Sequence, residues 1–198
     1  MIARSKQYIA NAKSRLEHAD RLGRVRDALA DLSAMEIDIV ALVWEGTRRR
    51  HVARMAAAIS WLGNGVIYLL LGLPILLLAP NAAPAVLTAG MGVLIAHLIY
   101  PWLKVACARE RPFACNSDLQ PLIKTLDTLS FPSGHMMTLT AASLPLLLMF
   151  PSYWPAGLLL WLVMGWSRIA CAHHYPSDVL AGTTLGATIA LPLSWAIL

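Results

Sequence analysis

The chain has 198 residues, of which 58% are hydrophobic and 14% charged. Soluble domains average about 25% charged residues, so a mean hydropathy of +0.59 excludes a disordered chain and makes an ordinary cytosolic enzyme a poor fit. Sixteen Lys and Arg against eleven Asp and Glu give a net charge of +5. On so apolar a chain, that charge favours anionic lipid headgroups or phosphate as partner rather than nucleic acid.

Residues 1–54 hold eleven of the basic and seven of the acidic residues. Basic and apolar residues mix from Arg4 through Arg26, which predicts an amphipathic helix. No apolar core with a small-residue cleavage pattern opens the chain, so no secretory leader is expected. Asp31–Trp44 carries Asp31, Glu36 and Asp38. A charge at mid-bilayer costs about 2.5 kcal/mol or more, so this stretch reads as an interfacial helix, ended by Gly46 and the run Arg48-Arg49-Arg50. Met55–Ala79 has 25 residues without a charge, enough to cross a hydrocarbon core of about 30 Å. A turn at 80–84 leads to a second span, Ala85–Leu103, with Lys104 at its exit. Arg109–Ser133 is polar and interrupted by Pro112, Pro121 and Pro132. It reads as an interfacial loop with one short helix at Leu122–Leu129.

Gly134–Phe150, Tyr153–Trp166 and Val179–Leu198 complete the expected spans. The fold class is therefore an all-α polytopic membrane bundle of five spans, or six if Asp31–Trp44 inserts. Residues 1–54 form its basic amphipathic N-terminal region and residues 55–198 its membrane domain. Gly182 and Gly186 stand one helical turn apart and would let the last helix approach a neighbour closely. Cys107, Cys115 and Cys171 are odd in number and lack metal-ligand spacing, so they are expected to remain thiols.

With five crossings, the span ends near Met55, Lys104, Gly134, Trp166 and Val179 share one membrane face. That face gathers Lys104, Arg109, Arg111, His135, Arg168, His173, His174 and Asp178, while the opposite turns carry no charge. Ionisable residues at helix ends around one mouth point to a site. Arg109 taken alone reads as an interfacial anchor. His173 lies beside the key residues as a supporting neighbour. His97 reads as a buried histidine bonded to an adjacent helix.

Three blocks carry the chemistry: Lys104 with Arg111-Pro112, then Pro132-Ser133-Gly134-His135, then Ser167-Arg168 with His174 and Asp178. In order and spacing they resemble the signature blocks of the type 2 phosphatidic acid phosphatase superfamily, lipid phosphate phosphatases related to vanadium haloperoxidases. The resemblance implies His174 as nucleophile, forming a phosphohistidine, and Asp178 as the group that orients it. It implies His135 as general acid and then base. Lys104, Arg111, Ser133, Gly134 and Arg168 would bind phosphate. The residues suit those roles, since guanidinium groups grip two oxygens and a helix N-terminus attracts anions. Ser133 is expected to cap the helix that starts at Gly134. No metal or other cofactor is implied.

The expected substrate is a lipid phosphomonoester: phosphatidic acid, phosphatidylglycerophosphate or a polyprenyl-linked phosphate. A polyprenyl diphosphate is the alternative, and lipid-to-lipid phosphotransfer is a third. A haloperoxidase fits poorly, since those relatives are soluble and larger. An inactive lipid-binding protein would be expected to lack His135 or His174. The setting is a bacterial-type inner membrane, where the bilayer itself is a partner. All sixteen basic residues fall on the site face, which by the positive-inside rule is cytoplasmic.

Overall fold

The structure, a computed structural model, describes residues 2–198, with side chains from residue 20 onward except at 69 and 71. Most of the amphipathic face expected over Arg4–Arg26 lies outside the described side chains. Helix α1 (Ile2–Glu45) runs without a break through both N-terminal stretches. It ends where expected, in a short 3-10 turn at Gly46–Arg48.

The first expected span is broken. Its residues form α2 (Arg50–Leu62) and α3 (Val66–Leu78), bent by 68°. The cause is Gly63-Asn64-Gly65, where Gly65 adopts φ +119°, a conformation open to glycine and costly for other residues. After a 3-10 turn at Pro80–Ala82, α4 (Ala83–Cys107) begins with Pro84 in its first turn, where a missing N–H costs nothing. It stops where Ala108 turns left-handed at φ 50°.

The helix expected at Leu122–Leu129 is absent, and the loop helix is instead α5 (Pro112–Cys115). Residues 122–129 are held by side chains rather than by a helical ladder: Lys104 Nζ donates to the Leu129 carbonyl at 2.8 Å and to Asp127. Helices α6 (Gly134–Met149), α7 (Trp154–Ala170) and α8 (Pro176–Ile197) occupy the positions of the remaining three expected spans, and of these α8 alone is long and apolar enough to cross a membrane.

Helix α6 is central and packs against α4, α7 and α8. Its closest approach is to α8, through the two glycines singled out above. Any side chain at Gly182 would collide with the Ser133 carbonyl, and at Gly186 with that of Met137. Leu73, Leu77, Leu94, Leu98, Leu158 and Leu162 point outward from α3, α4 and α7. That apolar perimeter suits hydrocarbon. By length and composition Pro80–Cys107 and Pro176–Ile197 can each cross a membrane, and the α2–α3 pair, bent by 68°, makes a third only if its two helices count as one span. Helix α6, at 16 residues, is shorter than the roughly 20 that a straight crossing takes.

Candidate active site

The three sequence blocks meet because four helix ends converge: the C-termini of α4 and α7 and the N-termini of α6 and α8. Between them lies a cavity of about 270 Å³ lined by Lys104, Arg111, Gly134, His135, Arg168 and His174. The bend after α2 closes one side through Asn64. This segment reaches the site by its break and not, as the five-crossing scheme expects, by its Met55 end.

The three cations are buried, so each needs anionic or acceptor partners. Lys104 spends its donors on both Asp127 oxygens, at 3.0 and 2.9 Å, and on the Leu129 carbonyl. Arg111 Nη2 donates to Asp127 Oδ1 at 2.7 Å, and Nη1 donates to the His173 carbonyl at 2.7 Å. Burial alone would raise the Asp127 carboxyl, but Lys104 and Arg111 outweigh it and hold it below the usual carboxylate range. Arg168 Nη1 donates to Ser60 Oγ on α2, while its Nε is buried without a partner.

His174 sits in the link between α7 and α8. Its backbone N–H and that of His173 both donate to the Arg168 carbonyl, at 3.3 and 3.1 Å. Ala172 enters the link with φ 56°, a strained setting for a residue with a Cβ. The His174 ring is buried, with Nε2 at 3.5 Å from Arg111 Nη1. Burial, and then the charges of Arg168, Arg111 and Lys104, keep it well below the ordinary histidine range. The ring is therefore neutral near pH 7. Asp178 Oδ2 lies 3.5 Å from Nδ1, at ion-pair distance but too far for a well-formed hydrogen bond. That same oxygen accepts the Tyr175 N–H at 2.9 Å and so anchors the first turn of α8.

At the start of α6 the Ser133 side chain makes no capping hydrogen bond, which corrects the sequence expectation. Its Oγ is buried and unpartnered, while its backbone N–H donates to the Asp178 carbonyl at 3.0 Å. This ties the second block to the third. His135 Nε2 lies 2.8 Å from Asn64 Oδ1. Sequence reasoning missed Asn64, whose only signal is its place between two glycines inside an apolar run.

His173 is buried, and its Nε2 donates to the Ile123 carbonyl at 2.9 Å. Burial, then Arg168, lowers its ring to about 3. His97 departs from expectation: it is exposed at the cavity rim, with Nδ1 2.9 Å from the Val93 carbonyl of its own helix. The three cysteines are free thiols, and burial pushes buried Cys171 up to about 11. Arg109 is no interfacial anchor, for it is buried and donates to Asp178 Oδ1 at 2.6 Å.

Fold and site define an all-helical protein that gathers three cations and a buried histidine around an anion-sized cavity. The sequence model of the PAP2 superfamily matches residues 85–198. Decaprenylphosphoryl-5-phosphoribose phosphatase of Mycobacterium tuberculosis (strain ATCC 25618 / H37Rv) is 36% identical over 138 residues, covering 68% of this chain and 74% of the relative. Undecaprenyl-diphosphatase of Sulfolobus acidocaldarius is 30% identical over 104 residues, covering 52% and 50%. The crystal structure of a transmembrane PAP2-type phosphatidylglycerolphosphate phosphatase from Bacillus subtilis superposes with a TM-score of 0.64 at 19% identity, covering 91% of this chain and 94% of that one. The chain belongs to the PAP2 superfamily, as its three blocks imply, and is a phosphoric ester hydrolase.

Proposed function

We propose that this protein removes the terminal phosphate from a membrane lipid phosphomonoester through a phosphohistidine, and that the lipid is a polyprenyl-linked phosphate. The carrying observation is the buried His174 ring, with Nε2 3.5 Å from Arg111 Nη1 in the cavity that Lys104 and Arg168 share. Lys104, Arg111, Arg168 and the Gly134 N–H at the start of α6 hold the phosphate oxygens, with Ser133 behind them. These groups stabilise the charge that builds up on the transferring phosphoryl group. His174 Nε2 attacks phosphorus, so a P–N bond forms as the P–O bond to the lipid breaks. Asp178 stabilises the charge that develops on the ring through Nδ1–H. His135 gives its proton to the departing lipid oxygen. It then takes one from the water that cleaves the P–N bond and releases phosphate.

The substrate class rests on two observations. The relative with the longer match acts, by its name, on a phosphate carried by a decaprenyl-linked sugar. A second cavity, about 230 Å³ and almost wholly apolar, adjoins the first and shares Tyr68 and Val93 with it. Such a groove suits an isoprenoid chain. The Sulfolobus relative favours a second reading, a polyprenyl diphosphate, which the same cations would accommodate.

The α2–α3 pair, α4, α6, α7 and α8 make five crossings in a bacterial-type inner membrane. Residues 55–198 are the catalytic unit and residues 1–54 support it, with the basic face cytoplasmic. The test is phosphate release by purified protein from a panel of lipid monophosphates and diphosphates, with and without EDTA. Turnover that prefers polyprenyl-linked monophosphates and survives EDTA is expected. Preference for diphosphates would shift the assignment to the second reading, and full loss in EDTA with recovery on adding Mg²⁺ would contradict the mechanism.

A further inference from the structure

Arg109 lies within the first block but is not one of its signature positions, yet its side chain is only 2% exposed and is satisfied from three directions. Nε donates to Ser33 Oγ on α1 at 2.9 Å, and Nη2 donates to Glu36 Oε2, also on α1, at 3.0 Å. Nη1 donates to Ser177 Oγ at 2.7 Å and to Asp178 Oδ1 at 2.6 Å. The guanidinium also stacks on the Tyr175 ring, 4.1 Å from its centroid. Glu36 closes the circuit: Oε1 accepts the Ser177 N–H at 3.0 Å and Oε2 accepts the Ser177 hydroxyl at 2.6 Å.

We propose that Glu36 and Arg109 are positioning residues for the nucleophile, a chain from α1 that holds the Asp178 carboxylate against the His174 ring. The proposal rests on the reading of His174 as nucleophile. Asp178 is fully buried, and a buried carboxylate without a cation is strongly disfavoured. Arg109 supplies that cation, but an arginine free to grip both oxygens would turn the carboxylate away from the ring, because guanidinium prefers a two-oxygen grip. Glu36 engages the other guanidinium nitrogen. Arg109 is thereby limited to Oδ1, and Oδ2 stays with the Tyr175 N–H and His174 Nδ1.

The charge count agrees. Burial raises the Asp178 carboxyl and Arg109 draws it back down; with both carboxyls ionised, Glu36, Arg109 and Asp178 carry one net negative charge, which favours the positive ring that forms as Nε2 takes the phosphoryl group. The cavity that the ring lines also holds Arg168, Arg111, Lys104, His135, His173 and Asp127; the three cations oppose that positive charge, and Asp127 offsets Lys104 and Arg111. The acidic residues that make the α1 sequence read as interfacial thus include one that serves the site.

The experiment compares Glu36→Gln, Arg109→Gln, Arg109→Lys and the Glu36→Gln/Arg109→Gln double variant with the parent chain. It uses full-length protein in detergent and polyprenyl monophosphate as the probe, and reads kcat, KM, first-turnover rate, pH profile and thermal unfolding. Arg109→Gln is expected to slow the first turnover about 10²-fold, the scale of loss when a reacting group is misplaced. KM should change little. The acid limb of the variant's pH profile should move to higher pH, because burial raises the Asp178 carboxyl and, without Arg109 to lower it, the Asp178–His174 pair takes up a proton more readily. Arg109→Lys should recover part of the rate, and Glu36→Gln should cost less than Arg109→Gln.

The double variant should be no slower than Arg109→Gln alone, since Glu36 acts through Arg109. If Arg109→Gln does not fold, the near-isosteric Glu36→Gln carries the test. Rates that fall only with the folded fraction, on an unmoved pH profile, would reduce the chain to a rivet between helices and overturn the proposal. His174→Ala separates the two ideas: if it is active, the nucleophile reading fails. If it is inactive while Glu36→Gln and Arg109→Gln turn over normally, only the positioning role fails.

Discussion

At the scale of single residues, Asp127 changes how the phosphate site is understood. Its carboxylate takes donors from both Lys104 and Arg111, the cations proposed to hold substrate. An arriving phosphate competes with a resident anion. Asp127→Asn removes that competitor's charge while keeping its shape, so vanadate should inhibit the variant more tightly, by up to about tenfold or 1.4 kcal/mol. Inhibition constants on the purified pair of proteins check this, and weaker vanadate binding would show that Asp127 builds the site rather than competes for it. The convergence of the eight residues named from the sequence was legible because they lie in short blocks with set spacing at four helix ends. Asp127, Arg109, Glu36 and Asn64 were not, since each acquires its meaning from a partner far along the chain. Glu36 and Asp178 are 142 positions apart, and only the packing of α1 on the site joins them through one arginine.

At the scale of elements, the α6–α8 contact carries the geometry of the site. Gly182 lies against the carbonyl of Ser133, immediately before the helix start that presents Gly134 and His135. Gly182→Leu should therefore lower the unfolding temperature in detergent and lose most activity, whereas Thr184→Leu on the exposed face of α8 should do neither. Equal effects of the two substitutions would mean the contact does not position α6. The sequence announced this helix and its glycine pair clearly, because uninterrupted apolar runs and small-residue spacing are local signals. It concealed the bend in the first span, since no charge or proline marks residues 63–65 and two glycines in an apolar run are a weaker sign. Residues 122–129 were misread for the opposite reason: their mixed polarity suits a helix, but Asp127 and the Leu129 carbonyl are already committed to Lys104.

At the scale of the whole molecule, the apolar perimeter, the cationic cavity and the adjoining apolar groove fit a membrane phosphatase. Helix α1 belongs to this machine: its Trp44 Nε1 donates to the Gln120 carbonyl at 2.8 Å, and Val40 is fully buried. The apolar composition and the grouping of the three blocks were therefore legible in the sequence, whereas the docking of the charged N-terminal helix beside Arg109 and Ser177 was not. The central claim is that phosphate passes through His174. Single-turnover quenching with radiolabelled polyprenyl monophosphate, followed by peptide mapping, tests it most directly. Acid-labile, alkali-stable label on His174 is expected in the parent chain, to persist longer in His135→Ala and to vanish in His174→Ala. Label on another residue, or turnover that survives in folded His174→Ala, would contradict it.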